Sequence, residues 1–478
     1  MEKVRSEALA QPLGPPSHWL WGTAGRFHDS ASFLDFLFDS APKYGDMVKM
    51  DYGLIGDIFR GRRGRRRRGT SFYFLNNPID IKHVLVTNQK NYPKDLNITS
   101  FTPTVKKIFG QGLLFSNDPL HLKQRRIMQP FFNHQQIASY ADMMIDKTEK
   151  MGHSWKDGME MDLSFEISQL TMAIACKAFF NLELADQSDE FSQAVRVGQR
   201  LLSESFFSFL SFLPFSSYLP TTHNRALGKV LTLLDGAIVD AIAKRRKSQE
   251  IGLDLLSALL RAQDEDQVTM TDQQLRDEII TLFLAGHETT ANALSFTFSL
   301  LSQHPNVEAR LLDEFHSVFG NGTPSFDKIP QLTYTEMVFA EALRLYPPAW
   351  ILQPRVAQEE DILPSGATIP AGDVIFMLPY VTHRHPRFFP DPERFDPERF
   401  TKEACAGRPE YAYFPFSGCP RNCIGERFAK MEEVLLLATI VRQFKMEPLQ
   451  NHTIVPNPLF TLCPKNGVWM RIEKRTIG

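Results

Sequence analysis

Cysteine is scarce, charge of one sign is missing and no apolar run reaches membrane length; each absence removes a class of protein. Five cysteines, Cys176, Cys405, Cys419, Cys423 and Cys463, are spread over 478 residues. An odd, sparse set in a chain without a secretory leader argues against a disulfide framework and for a reducing, cytoplasmic compartment. At least one thiol then stays free for chemistry. Acidic and basic residues nearly cancel, 55 against 53, so the overall balance points to neither nucleic acid nor an acidic tail. No stretch reaches roughly 18 consecutive apolar residues, and the opening MEKVRSEALAQPLGPPSHWLWG lacks the apolar core of a signal peptide. A soluble chain with no transmembrane anchor is expected. Internal repeats and Gly/Ser-rich linkers are also lacking, which favours one continuous domain over residues 1–478 and a monomer.

What is present reads as mainly α with a smaller β component. Helical periodicity dominates between residues 134 and 320, and short Val/Ile/Phe/Tyr runs near 47–52, 71–75, 374–380 and 454–472 read as strands. A capping box, Thr271 with Gln274 three residues on, opens a helix that runs to about His304, ahead of Pro305. At about 34 residues it is roughly 50 Å long, enough to cross a domain. A second helix near 333–345 stops before Pro347 and Pro348, and a third starts just after Cys423. The run RGRRGRRRRG packs seven arginines into residues 60–68. A solvated loop insertion between two strands is its simplest reading, ahead of a surface for an anionic partner, with nucleic acid last.

The strongest chemical signal is Phe416-Ser417-Gly418-Cys419-Pro420-Arg421-Asn422-Cys423-Ile424-Gly425, which leads directly into a helix. A thiol there meets the positive helix end and backbone donors, which favour the thiolate, and a thiolate axial ligand pushes electron density onto iron. The segment resembles the haem-binding loop of the cytochrome P450 family, F-x-x-G-x-R-x-C-x-G, at Phe416, Arg421, Cys423 and Gly425. Cys419 stands where that pattern has its first glycine, which costs energy if the turn there needs positive φ. Cys423 fits the ligand position far better than Cys419, which has Arg421 instead of glycine two residues later. The resemblance implies the cytochrome P450 fold, with heme b between the long central helix and the cysteine-loop helix, and Cys423 as the iron ligand.

Three further motifs are similar to the family's. Ala285-Gly286-His287-Glu288-Thr289-Thr290 interrupts the apolar long helix with a polar patch. If that patch faces the iron, Gly286 permits close approach of the helix to haem, a local distortion frees a carbonyl, and Glu288 and Thr289 relay the two protons that dioxygen activation needs. A Thr-Thr pair by itself more often bonds back to carbonyls one turn earlier. Glu341-Ala342-Leu343-Arg344 puts carboxylate and guanidinium on one helix face. The resemblance makes that pair scaffold, completed by Arg399 of Pro397-Glu398-Arg399-Phe400, with Arg394 of the preceding near-duplicate as the alternative. His121 and Arg125, at i and i+4, are expected to hold one haem propionate, and Arg355 and Arg421 are further propionate partners by the same resemblance.

Phe283, Ala285, Trp350, Ile351 and Phe460, with the phenylalanines at 206, 207, 209, 212 and 215, stand where family members line their pockets. Each alone is more often core than contact, but together they favour a small lipophilic substrate such as a fatty acid, terpenoid or carotenoid. The implied activity is monooxygenation: one atom of dioxygen enters the substrate, with electrons from a separate ferredoxin- or flavodoxin-type donor, since no redox domain is fused. A peroxygenase or haem-thiolate isomerase is the same-fold rival, and Glu288 with Thr289 argues against it. A haem sensor that merely gates on a ligand is the rival from another class.

Overall fold

The computed structural model describes residues 13–475 except 20–21, 24–25, 27–28, 52, 54–70, 95–102, 184–193, 196, 203, 205–218, 249–253, 262–269, 419 and 450–452. The arginine run at 60–68, the backbone at Cys419 and the phenylalanines from 206 to 215 lie outside the described residues.

Helix dominates and the sheets are small. The longest helix runs from Asp272 to Gln303; Thr271 caps it through the Gln274 N–H, the Gln274 side chain returns the bond, and His304 ends it. Expectation and structure agree here because the signal is local: two orphan donors are satisfied by residues three apart. The helix Leu163–Phe180 packs along the long helix and is also the one described helix apolar and long enough to cross a bilayer, but it is mostly buried in the protein. The helix Thr333–Leu345 falls where its prolines bound it, and Glu426–Gln443 follows the cysteine loop.

Both helices flanking the cysteine loop's partners are buried over most of their length, and the long helix is buried nearly all round. A helix apolar on every side needs neighbours on every side. From Leu275 to Leu301 only four residues escape full burial: Ala285, Gly286, Glu288 and Thr289. Between Leu275 and Leu301, the polar patch in the sequence is therefore also the one stretch that borders open space.

A four-stranded sheet supplies a second positioning element. Met47–Asp51 pairs antiparallel with Ser71–Leu75, which runs parallel to Val374–Met377, which in turn holds Arg355–Val356 antiparallel, Arg355 facing Ile375. A bridge from Lys94 to Arg355 extends that edge. Near the C-terminus the hairpin Pro456–Pro458 with Leu462–Pro464 carries Phe460 and Thr461 in its turn.

Candidate active site

The loop that presents Cys423 is tied to itself and to its neighbours. The Cys423 N–H donates to Phe416 O at 3.0 Å, and Arg421 N–H to Gly418 O at 3.1 Å. Among the described residues of the loop, positive φ falls on Ser417, at 65°. Gly418 must be glycine for a different reason: a Cβ would meet the Tyr411 hydroxyl at 2.7 Å.

Cys423 keeps accessible surface, yet protein surrounds the loop closely enough that burial pushes its thiol up to about 11. Both hold for a thiol that looks into an internal cleft. The Gly425 N–H bond to the sulfur works in the expected direction, towards the thiolate, but is outweighed by burial. Helix end and backbone donors alone do not ionise this cysteine. Ligation to a metal would, because a coordinated thiol loses its proton outright.

Cationic groups crowd one edge of the cleft. Lys94, His121, Arg125, Arg355 and Arg421 act on one another, while Asp118 is the carboxylate among them. Burial, then Arg355, Arg421 and Arg125, hold the Lys94 ammonium well below its ordinary range. Burial, then Arg421, lower Arg355 to about 10, and burial with the same cations lowers His121 to about 3. Among the described residues Arg355 Nε is buried without a hydrogen-bond partner, and His121 Nδ1 lies 3.5 Å from Asp118 Oδ1 without bonding geometry. Such a set is costly unless anions enter it. Two propionates are anions of the right number, so the residues present fit haem.

The structure refines the expected partners. Arg125 donates Nη1 to Asn422 O and Nη2 to Asn422 Oδ1, both at 2.7 Å, so it braces the cysteine loop as well as belonging to the cradle. Arg421 reaches Ser116 O at 3.0 Å and Asp118 Oδ1 at 2.8 Å. Lys94, which no motif singled out, joins the group by donating to Leu114 O at 2.7 Å beside Arg355. A lone lysine in a loop offers no periodic or motif signal, and only the sheet edge brings it here.

On the facing helix, Thr289 donates to Ala285 O at 2.7 Å and Thr290 to Gly286 O at 3.4 Å. The helix is continuous through this stretch, so the expected distortion is not found and both hydroxyls bond one turn back. A Cβ on Gly286 would strike Phe179 Cε2 at 2.6 Å, so the glycine admits Phe179 in a close helix–helix contact. Glu288 Oε1 accepts from the Thr461 hydroxyl at 2.5 Å, and burial raises its pKa against the pull of Thr461 and Gln199.

Glu341 and Arg344 are fully buried and bonded twice, at 2.6 and 2.8 Å. Arg399 Nε stands 3.4 Å from Glu341 Oε1, whereas Arg394 is exposed and 3.9 Å from Asp396. Of the expected pocket residues, Ala285 is exposed on the cleft side and Phe460 stacks on Phe109 at 5.4 Å. Trp350 is instead a core residue, 2% exposed, with its indole N–H given to Leu459 O at 2.9 Å, and Ile351 packs against the same core. Phe283 is buried and lines an apolar cavity with Cys176, Leu234 and Ile238. A larger cavity of about 540 Å³, between Glu149, His316 and Arg442, shares no residue with the cradle.

A helical fold with an accessible loop cysteine, a buried cluster of cations and a long helix whose acid–hydroxyl pair borders open space fits a haem-binding oxidoreductase. The Cytochrome P450 family model matches residues 12–470. Cyclooctatin synthase of Streptomyces melanosporofaciens is 34% identical over 90% of this chain and 89% of its own. Cyclooctat-9-en-7-ol 5-monooxygenase of the same organism is 32% identical, over 93% and 94%. Among solved structures, the cytochrome P450DA heme domain superposes with a TM-score of 0.80 at 22% identity, covering 98% of both chains. The chain belongs to the cytochrome P450 family, and it is a monooxygenase that works with haem.

Proposed function

We propose that this monooxygenase hydroxylates a lipophilic small molecule of terpenoid, fatty acid or carotenoid type, with heme b held by Cys423 and its propionates by Lys94, His121, Arg355 and Arg421. The observation that carries the reading is that between Leu275 and Leu301 of the long helix Ala285, Gly286, Glu288 and Thr289 alone escape burial, in a chain whose loop cysteine, Cys423, is accessible. Bound haem with a thiolate ligand supplies the redox chemistry that activates dioxygen and favours O–O cleavage. The chain's own residues do the rest. Cys423 gives its sulfur; Gly425 N–H and the Arg125–Asn422 bonds keep the loop in place. Glu288 and Thr289 hold protons at a carboxyl oxygen and a hydroxyl bordering the cleft. Ala285 and the half-buried Phe460, which is backed by the buried Phe109, offer apolar surface to a substrate.

Terpenoid-type substrates are favoured by the activity for which a relative is named, cyclooctat-9-en-7-ol 5-monooxygenase. Electrons come from a separate ferredoxin- or flavodoxin-type carrier: Lys123 and Arg126, on the helix Leu120–Met128, and Arg427, just past the cysteine loop, are accessible and suit an acidic partner. A cytoplasmic setting suits cysteines that stay as thiols. The reduced carbon monoxide difference spectrum tests the ligand, and spectral titration with a fatty acid, a terpenoid and a carotenoid tests the substrate class. A Soret band typical of histidine ligation refutes Cys423; no shift with any of the three refutes the class.

A further inference from the structure

Glu288 and Thr289 are chain neighbours, yet each is held by a partner of its own. Thr289 gives its hydroxyl to Ala285 O, one turn back. Glu288 is held from outside the helix, by Thr461 at 2.5 Å. Thr461 is buried, and Asn292, one turn beyond Glu288, donates Nδ2 to Thr461 Oγ1 at 3.0 Å. An amide nitrogen only donates, so Asn292 occupies a lone pair of the hydroxyl and leaves its proton directed at Glu288. The order Asn292 to Thr461 to Glu288 is thus directional. Thr461 is also next in the chain to Phe460, whose ring stacks on the buried Phe109 at 5.4 Å.

We propose that Thr461 is a positioning residue for proton delivery: its hydroxyl aims the Glu288 carboxyl. The inference rests on Glu288 being the acid of the proposed site. The groups that face Glu288 do not obscure its titration. His287, on the same helix, is held down to about 4 by burial, and Cys463, on the hairpin, is pushed up to about 12 by burial and then by Glu288 itself. Gln199, which bonds Glu288 and lies 3.1 Å from His287 Nε2, is neutral. Glu288 is the carboxyl of this cluster, and burial raises its pKa from the ordinary value.

The test compares Thr461→Val, which keeps shape and removes the donor, with Thr461→Ser, which keeps the donor, and with Glu288→Gln. The haem-loaded proteins are turned over with dodecanoic acid and a reductase–ferredoxin pair, and dioxygen consumed is partitioned between hydrogen peroxide and other products. In parallel, infrared spectra follow the carbonyl band of the protonated Glu288 carboxyl, identified by its loss in Glu288→Gln; this readout needs no turnover. Thr461→Val is expected to raise the peroxide share about tenfold, the scale of one lost hydrogen bond to a charged group. It moves the Glu288 limb of the pH profile to higher pH, since a donor that favoured the carboxylate is gone, and shifts the carbonyl band to higher frequency. Thr461→Ser stays within about twofold of the parent, the margin expected when the hydrogen bond is kept. Wild-type partition, limb and band in Thr461→Val overturn the proposal. So does a serine variant as impaired as valine, which assigns Thr461 to packing of the Phe460 turn. Wild-type behaviour of Glu288→Gln instead refutes Glu288 as the acid.

Discussion

Arg344 and Arg355 are both buried guanidiniums, yet their surroundings differ in kind. Arg344 spends all five N–H groups: two on Glu341, and the rest on the carbonyls of His383, Pro392 and Arg394. Arg355 leaves Nε without a partner among the described residues and sits among Lys94, Arg421 and Arg125. A closed cluster is complete without anything else, whereas an open one is complete only when anions arrive. The first is scaffold and the second is a cradle, and what separates them is the balance of donors and acceptors, not burial or charge.

Breaking the closed cluster has the largest effect. Glu341→Ala leaves Arg344 and Arg399 facing a void with a buried charge unpaired, a loss of about 3–5 kcal/mol. The expected outcome is protein that melts far earlier and retains little haem, read by circular dichroism and by the ratio of Soret to protein absorbance. A variant with full haem contradicts the assignment of Glu341 to the scaffold.

Glu278 shows a third treatment of buried charge, in which the proton is kept. It is fully buried on the long helix, accepts from the Leu113 N–H at 2.9 Å, and burial pushes it up to about 8. Its folded pKa lies above its unfolded value near 4.3. The folded state therefore holds the extra proton, and stability is full below that unfolded value and falls as pH rises through about 8. The loss is on the order of a few kcal/mol, since each tenfold difference in proton affinity between the folded and unfolded states is worth about 1.4 kcal/mol. Melting from pH 5 to 8.5 is expected to show a steeper decline for the parent than for Glu278→Gln. Parallel curves would remove Glu278 from the account.

The smallest effect sharpens the open side. Arg355→Gln removes one cation from a repelling set, so the haem-free protein melts at the same or a higher temperature, while haem leaves faster. Loss of one charge-assisted bond to a propionate is worth about 1.5–3 kcal/mol, or roughly 10- to 100-fold in the rate of haem transfer to a scavenging protein. Equal destabilisation with and without haem would make Arg355 scaffold like Arg344, and the contrast would fail.

Much of this was legible in the amino-acid order because the signals are short-range. Thr271 with Gln274, the prolines after Leu345, and the Glu341–Arg344 spacing each bring their groups together within a turn of helix. The cysteine loop is contiguous, so its motif survives any fold. Trp350 and Phe283 misled because apolar side chains give the same sequence signal whether they face a core, a cleft or a second cavity. Gly286 carries a related ambiguity: a missing Cβ says that something comes close, and only the structure names Phe179 as one such neighbour.

The chain by itself determined the contiguous loop around Cys423, the long helix with its polar interruption and the family, since those depend on neighbours in sequence. Tertiary structure alone decided that Lys94 joins the cradle, that Thr461 holds Glu288, and that Trp350 belongs to the core. Each of those facts depends on distance between residues far apart in the chain, and closeness in space is what sets the cost of a buried charge or the direction of a hydrogen bond.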